Sequence, residues 1–314
     1  MSDRLKHAMK KEVVEMGGMR LDLFLAEVSS ELSRSFAKQL ILKKIVLVNG
    51  LASKPNYHLK RGDVVTWSIP PAPPCEPQPE SIALDILHEE DSFLVLNKSP
   101  GMVVHPAPGH ETGTLVNALL FHDPCFKAVE RAGIVHRLDK DTSGALVVAK
   151  TPAARIELQR QFKARETQKE YWALVWGKPP KNGRIENRMG RHPANRKKMA
   201  VLKEGGRIAI STFEMIEDFE KMSLLKVCIE TGRTHQIRVH LTHLGFPIVG
   251  DSVYGRARKF NGILPQRQML HAHKIGFAHP STKKELLFNA PLSYDMDCFL
   301  NALREGESRG NNIL

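Results

Sequence analysis

Gly133-Ile134-Val135-His136-Arg137-Leu138-Asp139-Lys140-Asp141-Thr142-Ser143-Gly144 is the stretch around which the rest of this 314-residue chain is organised. Ile134-Val135 on one side and Ala145-Leu146-Val147-Val148-Ala149 on the other are apolar and rich in β-branched residues, while the positions between are charged, small or hydroxylated. That pattern predicts strand, loop, strand. A sheet fixes the ends of such a loop, so a carboxylate at Asp139 is presented at a strand end, and Gly144 lets the chain re-enter the sheet. On composition alone, Asp and Ser in a turn cap backbone amides far more often than they do chemistry.

Upstream of this loop, apolar residues at helical spacing (Leu21, Phe24, Leu25, Val28, then Phe36, Leu40, Ile41) predict two short amphipathic helices, the second with Ser33 as its N-cap. Val46-Leu47-Val48 runs into the turn Asn49-Gly50, and Gly62-Asp63 introduces a strand at Val64-Val65-Thr66-Trp67. Residues 1–17 carry little apolar periodicity and are expected to be a flexible lead-in, as are residues 307–314 at the other end. Six prolines, from Pro70 to Pro79, mark residues 70–80 as a semi-rigid linker between a small unit at 18–69 and a large one at 81–306.

Downstream, strands are expected at 84–87 and 93–96, a helix at 114–121, and a helix after Thr151-Pro152, where a cap meets a first-turn proline. A strand follows at 171–176. Residues 178–207 hold 10 Lys or Arg against 2 Glu with turn glycines and no continuous apolar face, which predicts a hairpin or long loop laid against phosphate. Strands at 208–219 and 223–230, a helix capped by Thr234 through His243, strands at 270–277 and 285–289 and a helix at 296–303 complete an α+β chain with a mixed, mainly antiparallel sheet and flanking helices.

Lys and Arg outnumber Asp and Glu 46 to 34, a formal charge of +12, which favours a polyanionic partner, nucleic acid ahead of an anionic membrane. No run of about 18 apolar residues is long enough to span a bilayer and the first residues lack the apolar core of a signal peptide, so the chain is expected in the cytoplasm, without a membrane partner. Cys75, Cys125, Cys228 and Cys298 are widely separated, which fits reduced structural cysteines rather than a zinc or redox motif. His235 and His240 stand five apart, off a common helical face, so no metal is expected there.

His136-Arg137-Leu138-Asp139 followed by Asp141-Thr142-Ser143-Gly144 resembles the signature of the RluA/RluC/RluD family of RNA pseudouridine synthases. Further islands fall in the family's order: Asn97-Lys98 with Gly101-Met102-Val103-Val104-His105-Pro106, Lys169-Glu170-Tyr171, and Thr231-Gly232-Arg233-Thr234-His235-Gln236-Ile237-Arg238. The N-terminal unit is similar to an S4 RNA-binding domain through Arg20-Leu21-Asp22, Arg34 with Lys38, Val48-Asn49-Gly50 and Gly62-Asp63-Val64. Lys44 stands where such domains usually place the glycine that closes the second helix.

What the resemblance implies is isomerisation of uridine to pseudouridine in structured RNA, without a cofactor, by a chain expected to act as a monomer. Asp139 is implied as the carboxylate, either nucleophile on the ribose or base at its 2′ position. Arg233 is its implied buried cationic partner, and Tyr171 the residue that stacks on the base and helps remove the C5 proton. Arg137 would fill the gap left by the flipped uridine, with His136 either assisting or simply packing. Lys98, Arg34, Lys38, Lys197 and Lys198 are further expected RNA contacts. The Arg191-His192-Pro193 stretch, the long match through His240 and the attached S4 unit most resemble the RluD branch, which implies 23S ribosomal RNA or the large ribosomal subunit. Another ribosomal or transfer RNA site, a non-catalytic RNA-binding assembly protein and a nucleoside or sugar hydrolase are the rivals. The hydrolase leaves the S4 unit and the charge unexplained.

Overall fold

The computed structural model describes residues 9–310 apart from 30, 70–75, 108–109, 196–197, 256–258 and 260–263, with side chains described as far as residue 305. It divides into two compact units, Met1–Cys75 and Glu76–Leu314. In the first, β1 (Lys10–Val13), α1 (Leu21–Val28), α2 (Arg34–Leu42), β2 (Val46–Val48), β3 (Leu51–Ala52) and β4 (Val64–Trp67) follow in order. The strands form one antiparallel sheet, β1-β4-β2-β3. Leu21, Leu25, Ala37, Leu40 and Ile41 from the helix faces bury against Val46, Val65 and Trp67. Ser33 caps α2 by accepting from the Phe36 amide, and Asn49 and Gly50 turn the β2–β3 hairpin with φ of 51° and 80°. Lys44 adopts the left-handed conformation, φ 57°, that a glycine would adopt more easily.

Two expectations need correcting at the edges of this unit. The segment expected to be loose contains β1, paired with β4, and Val14 behind it is buried. The expected linker lies partly outside the described residues, and its remainder is bonded to the second unit. Asn117 Nδ2 donates to Gln78 O at 2.8 Å, and the Glu80 carboxylate accepts from the Gly113 amide.

The second unit runs β5 (Ile86–Glu89), β6 (Phe93–Lys98), α3 (Leu115–His122), β7 (Ser143–Ala149), α4 (Pro152–Ala164), β8 (Gln168–Trp176), β9 (Asn182–Arg191), β10 (Met199–Leu202), β11 (Arg207–Asp218), β12 (Met222–Ile229), α5 (Gln236–His243), β13 (Leu270–Ala278), β14 (Glu285–Asn289) and α6 (Tyr294–Gly310). The sheet order is β10-β9-β11-β12-β8-β13-β7-β6-β5, with β14 beside β13. Among the described residues β13 pairs with β7 in parallel, and the other strand pairs are antiparallel. The basic stretch at 178–207 is therefore a hairpin, β9–β10, that continues the sheet. The closing helix continues to Gly310, past the expected start of a flexible tail.

All seven residues of β7 are buried, as expected for a strand covered on both faces. Their alternation assigns Leu146 and Val148 to one cluster, with Tyr171, Leu225, Ile229, Ile237 and Leu270, and Ala145, Val147 and Ala149 to another against α4. The site lies on the first of these faces. Ile134 makes a single bridge, to Val148, rather than the expected strand. Arg131, Ala132 and Gly133 all have positive φ, and a Cβ on Gly133 would sit 1.8 Å from Ala149 O, so the chain turns tightly at the end of β7 where an extended strand cannot continue.

Candidate active site

The loop from His136 to Thr142 is pinned from several sides. His136 Nε2 accepts the Val147 amide at 3.0 Å while its ring stacks on Phe162 at 4.6 Å, and burial pushes its pKa down to about 3. The ring is thus held between β7 and α4, half-buried, on the lining of the groove that also takes Arg137 and Lys169. Lys98, expected to touch substrate, is internal: at 1% exposure its ammonium donates to Ser99 O, Met102 O and Lys140 O at 2.7, 3.0 and 3.0 Å. Burial, with the charge of Arg267, lowers it to about 7. Arg267 donates to Asp141 O at 2.9 Å and is itself held by Asp295. At the exit, Gly144 (φ 115°) passes so close to β13 that a Cβ would lie 2.3 Å from Ala272 O.

Between these anchors the Asp139 side chain remains 18% exposed. Its Oδ2 meets Arg238 Nη1 at 3.0 Å and faces His235 Nε2 at 3.9 Å. Arg238, on α5, is bound on its other edge by Asp251, Nε to Oδ2 at 2.7 Å and Nη2 to Oδ1 at 3.0 Å, and the Asp251 side chain is fully buried. Burial opposes the charge on the guanidinium, but the hydrogen bonds and charge of Asp251, then those of Asp139, outweigh it and hold it above its ordinary value. Asp251 in turn accepts from the Val253 and Tyr254 amides, and the same guanidinium lies 5.1 Å from the centre of the Tyr254 ring.

The cation against Asp139 is thus Arg238, not Arg233. Arg233 lines the same cleft, but its Nε donates to Ile208 O at 3.2 Å. Burial and the charges of Arg207 and Arg165 lower its pKa. The turn that separates the two arginines is locked by Gln236, whose Oε1 accepts from Thr231 Oγ1 and the Arg233 amide and whose Nε2 donates to Ile210 O. His235, left-handed at φ 56°, occupies the N-cap position of α5 in place of the expected Thr234. Its Nδ1 lies 2.8 Å from Tyr254 Oη, and His240 bonds Ser211 and Asn187.

Tyr171 closes the floor of the cleft at 8% exposure, with burial and the charge of Asp139 both raising its phenol pKa. Arg137 is exposed at the rim, shared between this cleft and a neighbouring groove that also takes Lys163, Arg165, Lys169 and Arg233. Among the described residues, no carboxylate forms an ion pair with any of these five cations. Lys198 Nζ lies 5.9 Å from the Tyr254 ring. Arg34 and Lys38 belong to the first unit, Arg34 bonded to the buried Asp22 at 3.0 Å and Lys38 exposed, and Lys197 lies outside the described residues. Cys125, Cys228 and Cys298 are free thiols.

Arg238, Asp251 and Tyr254 were not among the residues expected here. One signal was available: Arg238 stands between Ile237 and Val239 with Leu241 one turn on, so it is a charge inside an apolar run. Asp251, beyond Gly250, carries no comparable mark.

The model for the RNA pseudouridylate synthase family matches residues 92–243, and that for the S4 domain matches residues 19–65. An uncharacterized RNA pseudouridine synthase of Synechocystis sp. is 43% identical over 92% of this chain and 90% of its own length. A ribosomal large subunit pseudouridine synthase D of Xanthomonas campestris is 40% identical over 99% of this chain and 98% of its own. Among solved structures, human RNA pseudouridylate synthase domain containing 1 matches with a TM-score of 0.54 at 27% identity, over 72% of this chain and 96% of that one.

Proposed function

The chain belongs to the RNA pseudouridylate synthase family, and on that premise we propose that it isomerises uridine in large-subunit ribosomal RNA with Asp139 as the carboxylate that acts on the ribose. The observation that carries the role of Asp139 is its setting: a partly exposed carboxylate at the bottom of a cleft, 3.0 Å from a buried arginine that Asp251 braces from behind. Among the described residues no helix is long and apolar enough to cross a membrane.

The reaction breaks the bond from C1′ to N1, turns the freed uracil and joins C1′ to C5. The C5 proton leaves and N1 gains one, so substrate and product are isomers and no electron acceptor is called for. Positive charge that develops at C1′ is met by a carboxylate at the sugar, the need that glycosidases answer with Asp or Glu. Asp139 answers it as a nucleophile on C1′ or as a base at C2′. A buried carboxylate beneath a nucleotide loses hydration, and the Arg238 guanidinium replaces it. The uracil, out of its stack, rests on Tyr171 while Arg137 occupies the space it left. The cations of the adjoining groove, with Arg34 and Lys38 of the S4 domain, hold phosphates.

Asp139→Asn keeps the shape of the side chain but removes its nucleophilicity and basicity. Purified variant and parent are assayed for tritium release from RNA labelled at uridine C5. The parent is expected to release tritium from large-subunit ribosomal RNA and the variant none above background, at unchanged RNA affinity. Release confined to transfer RNA would reassign the substrate, and release by the variant would remove Asp139 from the chemistry.

A further inference from the structure

Tyr254 lies outside every motif used to read the sequence, yet its hydroxyl is the junction of two hydrogen bonds beside the reacting carboxylate. Oη accepts the Met199 amide of β10 at 2.8 Å and lies 2.8 Å from His235 Nδ1. The Met199 amide can only donate, so it takes one lone pair of the phenol oxygen and leaves the O–H free to donate to Nδ1. The opposite tautomer would leave the phenol hydrogen to find another acceptor. It would also turn the bare lone pair of Nε2 toward the Asp139 carboxylate, 3.9 Å away. With Nδ1 as acceptor, the hydrogen sits on Nε2, the ring nitrogen 3.9 Å from Asp139 Oδ2.

We propose that the Tyr254 hydroxyl is a positioning group for the reaction, locking His235 in the tautomer whose Nε2–H faces Asp139 and so keeping the carboxylate free to act on the ribose. The inference rests on the role proposed for Asp139. A protonated imidazole at this place would be drawn into an ion pair with Asp139 and occupy the lone pairs the reaction needs. The Tyr254 hydrogen bond opposes that by stabilising the neutral ring. The charged groups that face His235 are Asp139, Arg238, Asp251 and Arg137. Burial lowers its proton affinity, the two arginines act in the same direction, and the two aspartates partly oppose them. The ring of Tyr254 is fixed independently, with Arg238 at 5.1 Å and Lys198 at 5.9 Å from its centre, so its hydroxyl can be removed while the ring keeps its place.

The test is Tyr254→Phe. Single-turnover rates at saturating enzyme are measured from about pH 5 to about pH 8, the span in which imidazole titrates. The tautomer and midpoint of His235 are followed over the same span by ring-nitrogen NMR. Losing one hydrogen bond to the neutral ring is expected to raise its midpoint by about one unit and to move the acid limb of the rate by the same amount, a loss of roughly tenfold on that limb. On the alkaline plateau the variant should approach the parent, and its RNA affinity should change less than about twofold. In the Tyr254→Phe, His235→Gln double variant, which has no imidazole to titrate there, the displacement of the limb should vanish. An equal loss of rate at every pH, or a His235 tautomer and midpoint unchanged by the substitution, would overturn the proposal. If Asp139 is not the acting carboxylate, the NMR shift will appear without any displacement of the rate limb, which separates the two failures.

Discussion

A guanidinium buried in a protein destabilises it by several kcal/mol unless carboxylates meet it, and Arg238 is met by two, one of them Asp139, the carboxylate proposed to act on the ribose. Arg238→Lys keeps the charge but cannot bridge Asp139 and Asp251 at once. The loss is expected to be about 3 kcal/mol of stability, with the single-turnover rate down on the order of a hundredfold. Arg233→Lys, at a residue held by a backbone carbonyl, should stay within about 1 kcal/mol on both counts. Thermal unfolding and single-turnover assays on the pair check this, and the reverse ranking would return the role to Arg233. Both arginines lie inside one motif, so sequence could place a cation there without choosing between them. The choice depends on the left-handed His235, which starts α5 one residue later than a Thr234 cap would and so sets which side chain turns inward. Positive φ is uncommon at any residue but glycine, and although histidine adopts it more readily than most, residue type does not say which histidine will. Asp139 and Tyr171 were legible through the motifs that carry the family resemblance, His136-Arg137-Leu138-Asp139 and Lys169-Glu170-Tyr171, since residue type alone reads the one as a turn cap and the other as a core aromatic.

At the scale of elements, local chemistry announced most of the framework: the Ser33 and Thr151 caps, the Asn49-Gly50 turn and the alternating strands formed where their residues predict. What it could not announce were features made by distant partners. β1 exists because β4 offers an edge to it, and Lys98 is internal because three carbonyls from two separate loops converge on it. Lys98 thereby ties the end of β6 to the loop that carries Asp139. Lys98→Met would leave those carbonyls without donors at about 1–3 kcal/mol each, and is expected to lower the reaction rate more than RNA affinity. The pH dependence has a definite sign. The folded-state pKa is about 7 against 10.5 for a free side chain, so between those values the folded state binds fewer protons than the unfolded one. The Lys98 contribution therefore grows as pH rises from about 7 toward 10.5 and is lost as pH falls back through that window. Denaturant unfolding of parent and variant at about pH 7 and about pH 9 should show the stability gap widening; parallel behaviour would mean that Lys98 does not titrate there.

For the whole molecule, +12 charges and an S4 domain point to a division of labour in which one unit supplies affinity and the other chemistry. Each has its own core, the first around Leu21, Leu40 and Val65, the second around the sheet faces of β7 and β8, so each is expected to fold when separated. The cut belongs before Glu76. A cut near Ser81, which the proline pattern suggests, would remove Gln78 and Glu80, the partners of Asn117 and Gly113 at the start of α3. Every group placed at Asp139 lies beyond either cut. The hold on RNA that the S4 unit provides would be largely electrostatic, each phosphate neutralised adding to the steepness with which affinity falls as salt rises. Two tethered sites also raise one another's effective concentration, so truncation should weaken the enzyme most when dilute and least at saturation. Single-turnover rates for the full chain and for a chain beginning at Glu76 are therefore expected to converge at saturating enzyme. Their binding constants should differ most at low salt and approach one another as salt rises. A truncated chain that folds, as judged by circular dichroism, yet shows no turnover at saturation would make the S4 unit part of the catalytic apparatus and end this division of labour.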